Sequence, residues 1–120
     1  MITLPLGSLI YVAGPYTPKQ AKTNHDFCRF TQWNVDRAVD VGIKLMMKNY
    51  VVYIPQLSHY IQLRMKTDYG KKWYDFDIEI LKRCDAILMM GGWTESKGAK
   101  SEYDYAMKNK IQVFFESDLK

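Results

Sequence analysis

Two hydrophobic rhythms alternate along the chain. Short apolar runs of strand length occur at residues 9–13 (LIYVA), 50–54 (YVVYI), 85–90 (DAILMM) and 111–115 (IQVFF). Such runs, bounded by turn residues, fit strands buried in a sheet. Between them apolar residues recur at helical spacing. From about residue 26 to 48, Phe27, Phe30, Ala38, Val41 and Leu45 share one stripe that also carries Asn34. Residues 71–84 (KKWYDFDIEILKRC) and 99–109 predict two more helices. Gly14-Pro15, Asn49 and Pro55 mark the breaks. Residues 56–70 predict a short helix and a mobile loop, and 91–98 a loop.

This order, β-α-β-α-β-α-β, predicts an α/β domain: a Rossmann-like or flavodoxin-like parallel sheet of four to five strands with helices on both faces. In such folds the site lies beyond the carboxyl ends of the strands. The loops after Ala13, Ile54 and Met90 belong to that edge.

Composition narrows the picture without changing it. The 120 residues suit a single domain, and no apolar segment approaches the length of a membrane span. No basic leader precedes the first strand, so a cytoplasmic protein is expected. Cys28 and Cys84 lack CxxC or histidine neighbours and read as buried free thiols. The net charge of +4 is spread along the chain, which favours small anionic partners or plain solubility over a nucleic-acid arm. Metal-ligand spacings, GxGxxG and GxxxxGK[ST] do not occur, and neither a metal nor a cofactor is expected.

Three places carry unusual chemistry. Asp77 shares a helical face with Trp73, Ile80, Leu81 and Cys84, while Asp75 and Glu79 face elsewhere. A carboxylate on an apolar stripe needs a partner or a raised pKa, and serves either as a structural cap or as an acid/base group. Glu102 lies in the opening turns of a helix, on the face of Ala99 and Ala106, where the helix N-terminus is expected to keep it ionised as a nucleophile. Ser96 can cap that helix, leaving backbone N–H groups around Gly98 as an anion site. Tyr11 stands either in the core or with its hydroxyl at the cleft, and His59 reads as a surface histidine.

Together these residues resemble the nucleoside 2-deoxyribosyltransferase superfamily, which includes the 2′-deoxynucleoside 5′-phosphate N-hydrolases. The resemblance spans about residues 9–115. It rests on YVAGPYT at 11–17, Asn34, Ala38 and Leu45, VVYIP at 51–55, Asp77, the CDAILMM strand, SKGAKSE at 96–102, and Ala106. It implies cleavage of the N-glycosidic bond of a nucleoside or nucleoside 5′-monophosphate. Glu102 would be the nucleophile, Asp77 the proton donor to the departing base, and Tyr11 the group orienting Glu102 or the sugar. Ser96, Gly98 and Ala99 would hold the sugar's 5′ end; Gly14, Pro15, Tyr16, Asn34 and Trp93 would line the substrate site, with Trp93 or a residue near Tyr16 stacking on the base. Lys19 and Lys22 would face a phosphate.

The chain departs from the deoxyribosyltransferases proper by having Ser96 where they carry Asp, and by reaching Lys120 without their C-terminal extension. Hydrolysis is therefore expected over transfer. The rival reading is a non-catalytic nucleotide-sensing module, which would not require both carboxylates. A phosphoribohydrolase would want a PGGxGT-like stretch that GGWTESKGA only faintly suggests. A homodimer or larger homo-oligomer is expected, because Trp33 falls off the apolar stripe of its helix.

Overall fold

The computed structural model describes residues 2–16 and 22–119, with residues 24–28 as backbone only. Four strands form one sheet: β1 (Leu9–Ala13), β2 (Val51–Tyr53), β3 (Ala86–Met89) and β4 (Gln112–Phe115). All neighbours are parallel, in the order β2-β1-β3-β4. Four helices connect them: α1 (Asn24–Met47), α2 (Ser58–Arg64), α3 (Lys72–Leu81) and α4 (Lys97–Lys108). Single 3-10 turns stand at Pro55–Leu57, Trp93–Glu95 and Glu116–Asp118. The parallel α/β architecture read from the apolar rhythm is the one observed.

Alternation along the strands sorts the core into two layers. Ile10, Val12, Ala86 and Leu88 face α1, where Ala38, Val41 and Leu45 meet them. Tyr11, Ala13, Ile87 and Met89 face the other way, against Leu81 and Cys84 of the α3 end and Ala99 and Ala106 of α4. The sheet is buried on both faces, which is why its central strands read as continuous apolar runs. Close approach demands small residues. A Cβ on Gly42 would lie 2.5 Å from Ile54 Cδ1, and one on Gly14 would lie 2.6 Å from Met90 Sδ.

The connection leaving β1 covers one face and leads to β2; that leaving β3 covers the other and leads to β4. The strand order therefore reverses between β1 and β3, and a crevice opens beyond their carboxyl ends. Around the segment expected to be a mobile loop, Gln62 makes a clamp. Its Nε2 donates to the Thr67 carbonyl at 2.9 Å, while its Oε1 accepts from the Tyr69 N–H at 3.0 Å and from Trp73 Nε1 at 2.9 Å. Cys84 is a buried free thiol, pushed up to about 11 by burial. The side chains of Phe27 and Cys28, and all of Lys19, lie outside the described residues.

Candidate active site

Tyr11 and Tyr53 are register partners on β1 and β2, and their rings stand 5.5 Å apart on the α3–α4 face. Each hydroxyl donates to a carboxylate from a different helix. Tyr11 donates to Glu102 Oε2 of α4, and Tyr53 donates to Asp77 Oδ1 of α3 at 2.9 Å. Two adjacent strands thus hold two carboxylates side by side. Parallel register places the tyrosines, and the helix–sheet packing brings each carboxylate down onto its hydroxyl.

Burial dominates the electrostatics. Glu102 is 8% exposed, and loss of hydration pushes its carboxyl up to about 8; the Tyr11 hydrogen bond opposes the rise and the Asp77 charge adds to it. Desolvation likewise pushes Asp77 up to about 6 against the pull of the Tyr53 hydroxyl. Both tyrosines are raised in turn, first by burial and then by the carboxylates beside them. The expectation that a helix N-terminus keeps Glu102 ionised is corrected here. Glu102 is the sixth residue of α4, beyond the first turn where the dipole acts, and desolvation wins.

Both carboxylates line a cavity of about 830 Å³ at the carboxyl edge of the sheet. Tyr16, His59, Trp73 and Tyr74 supply aromatic wall, and Ser96, Lys97, Gly98 and Ala99 bring the start of α4 to it. Ser96 is the N-cap; its Oγ accepts from the Ala99 N–H at 3.2 Å, leaving its own proton to donate elsewhere. Gly14 lines the cavity too, at the end of β1.

Other expected site residues fall differently. Trp93 is not among the residues lining this cavity: it stacks on Tyr103 at 4.7 Å and leans on Phe115, packed between α4 and the end of β4. Pro15 is also off the lining; its ring sits against Gly92, where a Cβ would meet Pro15 Cγ at 3.4 Å. Asn34 is buried and acts at one remove, its Nδ2 donating to the Tyr16 carbonyl at 3.0 Å. His59 is corrected from surface to cavity wall: α2 sets its Nδ1 3.0 Å from the Tyr16 hydroxyl. Lys22 does not line the cavity, whereas Lys97 does.

Sequence reasoning passed over Tyr53, Thr31 and Gln56. Tyr53 carried a signal, since it ends its strand two residues before Pro55 as Tyr11 stands near the end of its own. Thr31 carried one as well: it is a polar residue on the stripe of Asn34, Ala38 and Leu45. Among the described residues no three His, Cys, Asp or Glu side chains converge where they would hold a metal.

A family model described as "Domain of unknown function (DUF4406)" matches residues 8–115, nearly the whole chain. The chain belongs to the DUF4406 family. No curated protein matches it. The stretch that makes this a DUF4406 domain runs from the residue before β1 to the last residue of β4, so it includes the sheet, both tyrosines and both carboxylates.

Proposed function

We infer that this DUF4406 protein cleaves the N-glycosidic bond of a nucleoside or nucleoside 5′-monophosphate, by hydrolysis. The observation that carries the reading is the pair of tyrosine-held carboxylates, Glu102 and Asp77, on one wall of an aromatic-lined cavity. An oxocarbenium-like centre calls for an ionised carboxylate at the anomeric carbon and a protonated one beside the leaving group. Between about 6 and 8 the pair rests with the proton on Glu102 and Asp77 ionised. The working form is therefore the minor one in which the proton has moved to Asp77, a move that also removes the charge helping to hold it on Glu102.

In the working form Glu102 is ionised and Asp77 protonated. Glu102 attacks the anomeric carbon as the C–N bond breaks, its electron pair leaves with the base, and Asp77 supplies the proton to the base nitrogen. Asp77 then takes a proton from water. The hydroxide equivalent attacks the anomeric carbon, the glycosyl ester opens, and Glu102 is freed as a carboxylate. Tyr11 donates to that carboxylate throughout. The cavity-lining start of α4, with the Ser96 hydroxyl and Lys97 beside it, suits a 5′-phosphate.

The second reading is a nucleotide-sensing module without turnover. It is favoured by the burial of Glu102, which pushes its carboxyl up to about 8 and so holds its proton at neutral pH. One experiment separates the two. The protein is incubated with a panel of nucleosides and 5′-monophosphates and free base is followed by chromatography. Release of base that Glu102→Gln abolishes supports the hydrolase; binding without release supports the sensor.

A further inference from the structure

Two buried oxygen atoms beside the cavity have no hydrogen-bond partner among the described residues: Thr31 Oγ1 of α1 and Gln56 Oε1 of the turn after β2. Thr31 is 0% exposed and Gln56 is 3% exposed, and both residues belong to the cavity lining; the two oxygens themselves are covered, so a ligand reaches them only as the side chains over them shift. An unsatisfied buried polar group weakens a fold by about 1–3 kcal/mol, so two of them at one cavity require a reason.

The polarity of Gln56 is set by its neighbour. Its Nε2 donates to the Gly14 carbonyl at 3.3 Å, and turning the amide over would set oxygen against oxygen. Oε1 is therefore an obligatory acceptor that lacks a donor. The Thr31 hydroxyl is free to donate, because it has no acceptor among the described residues. The pair thus offers one acceptor and one donor, at a cavity whose walls include Tyr16, His59 and Trp73.

We propose that Gln56 and Thr31 form the edge-reading subsite for the base: Gln56 Oε1 accepts from an N–H on the heterocycle, and the Thr31 hydroxyl donates to the acceptor next to it. The proposal rests on the glycosidic reading of the cavity and names what holds the leaving group. The ligand chemistry is a planar heterocycle with an N–H donor beside an acceptor. Amino bases present it as –NH2 next to a ring nitrogen, and oxo bases present it as ring N–H next to a carbonyl.

Equilibrium titration of the whole protein with free bases tests this without relying on turnover. The probes are adenine and cytosine, hypoxanthine and uracil, and the counterparts methylated on every N–H of the reading edge. The base that binds best is expected to lose at least about tenfold in affinity when so methylated. Whether the amino or the oxo pair binds better assigns the edge. Thr31→Val, which keeps the shape and removes the hydroxyl, is expected to weaken that base about three- to tenfold while melting no lower than wild type, and Thr31→Ser to restore binding.

A hydroxyl with a purely structural partner would do the reverse: Thr31→Val would lower the melting temperature and leave base affinity unchanged. That result, or equal binding of methylated and unmethylated bases, overturns the proposal. Failure of the glycosidic reading looks different. Bases then still bind with the expected selectivity, and no nucleoside or monophosphate releases its base.

Discussion

At Glu102 two demands oppose each other, because the burial that shapes the site also holds the carboxyl protonated up to about 8. Unfolded, the same group ionises near 4.5. Between those values the folded chain binds more protons than the unfolded one, so stability falls as pH rises through the window and levels off above it. Asp77, raised from 3.8 to about 6, acts with the same sign over a lower window. Glu102→Gln cannot ionise, so its melting temperature relative to wild type is expected to climb as pH is raised from about 5 to about 8. A difference that stays flat with pH in thermal melts overturns this. The same variant is expected to lower turnover by at least about a thousandfold, because an amide is no nucleophile. Retention of about a tenth of the wild-type rate removes Glu102 from that role.

Asp77 is judged by the shape of the pH–rate profile. With one group required ionised and the other protonated, kcat/KM is expected to follow a bell with limbs near 6 and 8, belonging to the pair jointly. Asp77→Asn is expected to lower the rate by about a hundredfold or more and turn the bell into a single rise. Superimposable profiles of variant and wild type make Asp77 structural.

At the scale of elements, the start of α4 and the end of β1 are where local geometry serves the cavity. Ser96 caps α4, and Asp caps as well as Ser, so Ser96→Asp leaves the helix intact while adding a negative charge at the cavity. Its kcat/KM for a 5′-monophosphate is expected to fall about tenfold to a hundredfold, with that for the free nucleoside nearly unchanged. Equal activity of the wild type on both substrates, or an undiminished monophosphate rate in the variant, points to a nucleoside enzyme. Gly14 answers a steric question. Its missing Cβ lets β1 pass the Met90 side chain, since a Cβ there would stand 2.6 Å from Sδ and 2.9 Å from Met90 Cβ. Gly14→Ala forces Met90 to move and is expected to destabilise the fold by about 1–3 kcal/mol in urea denaturation.

At the scale of the molecule, one stretch of the exposed apolar surface lies along β2, an edge strand of the sheet. Val51, Leu57, Ile61 and Phe76 are exposed there and border a groove of about 610 Å³. Trp33 of α1 is 54% exposed, as its place off the apolar stripe predicts, with the Arg37 guanidinium over its ring. An open strand edge and exposed large side chains favour self-association, so a homodimer or larger assembly is the expected species in sedimentation at micromolar concentration. A single species of one chain mass overturns that expectation. Among the described residues no helix is long and apolar enough to cross a membrane.

The order of elements, their types and the inward faces were readable along the chain, because periodicity is a local property and the backbone answers to it directly. β1 falls on the predicted residues, and Asp77, Ala99 and Ala106 lie on the faces that their spacing indicates. What the chain could not reveal is which distant side chains meet. That Tyr53 holds Asp77, that Gln56 faces the end of β1, and that Trp93 turns to Tyr103 follow from strand register and helix packing. Nor could spacing foretell that Glu102 holds its proton. A helix N-terminus is visible in sequence, but the loss of water around a side chain depends on everything folded over it, and only the tertiary structure decides that.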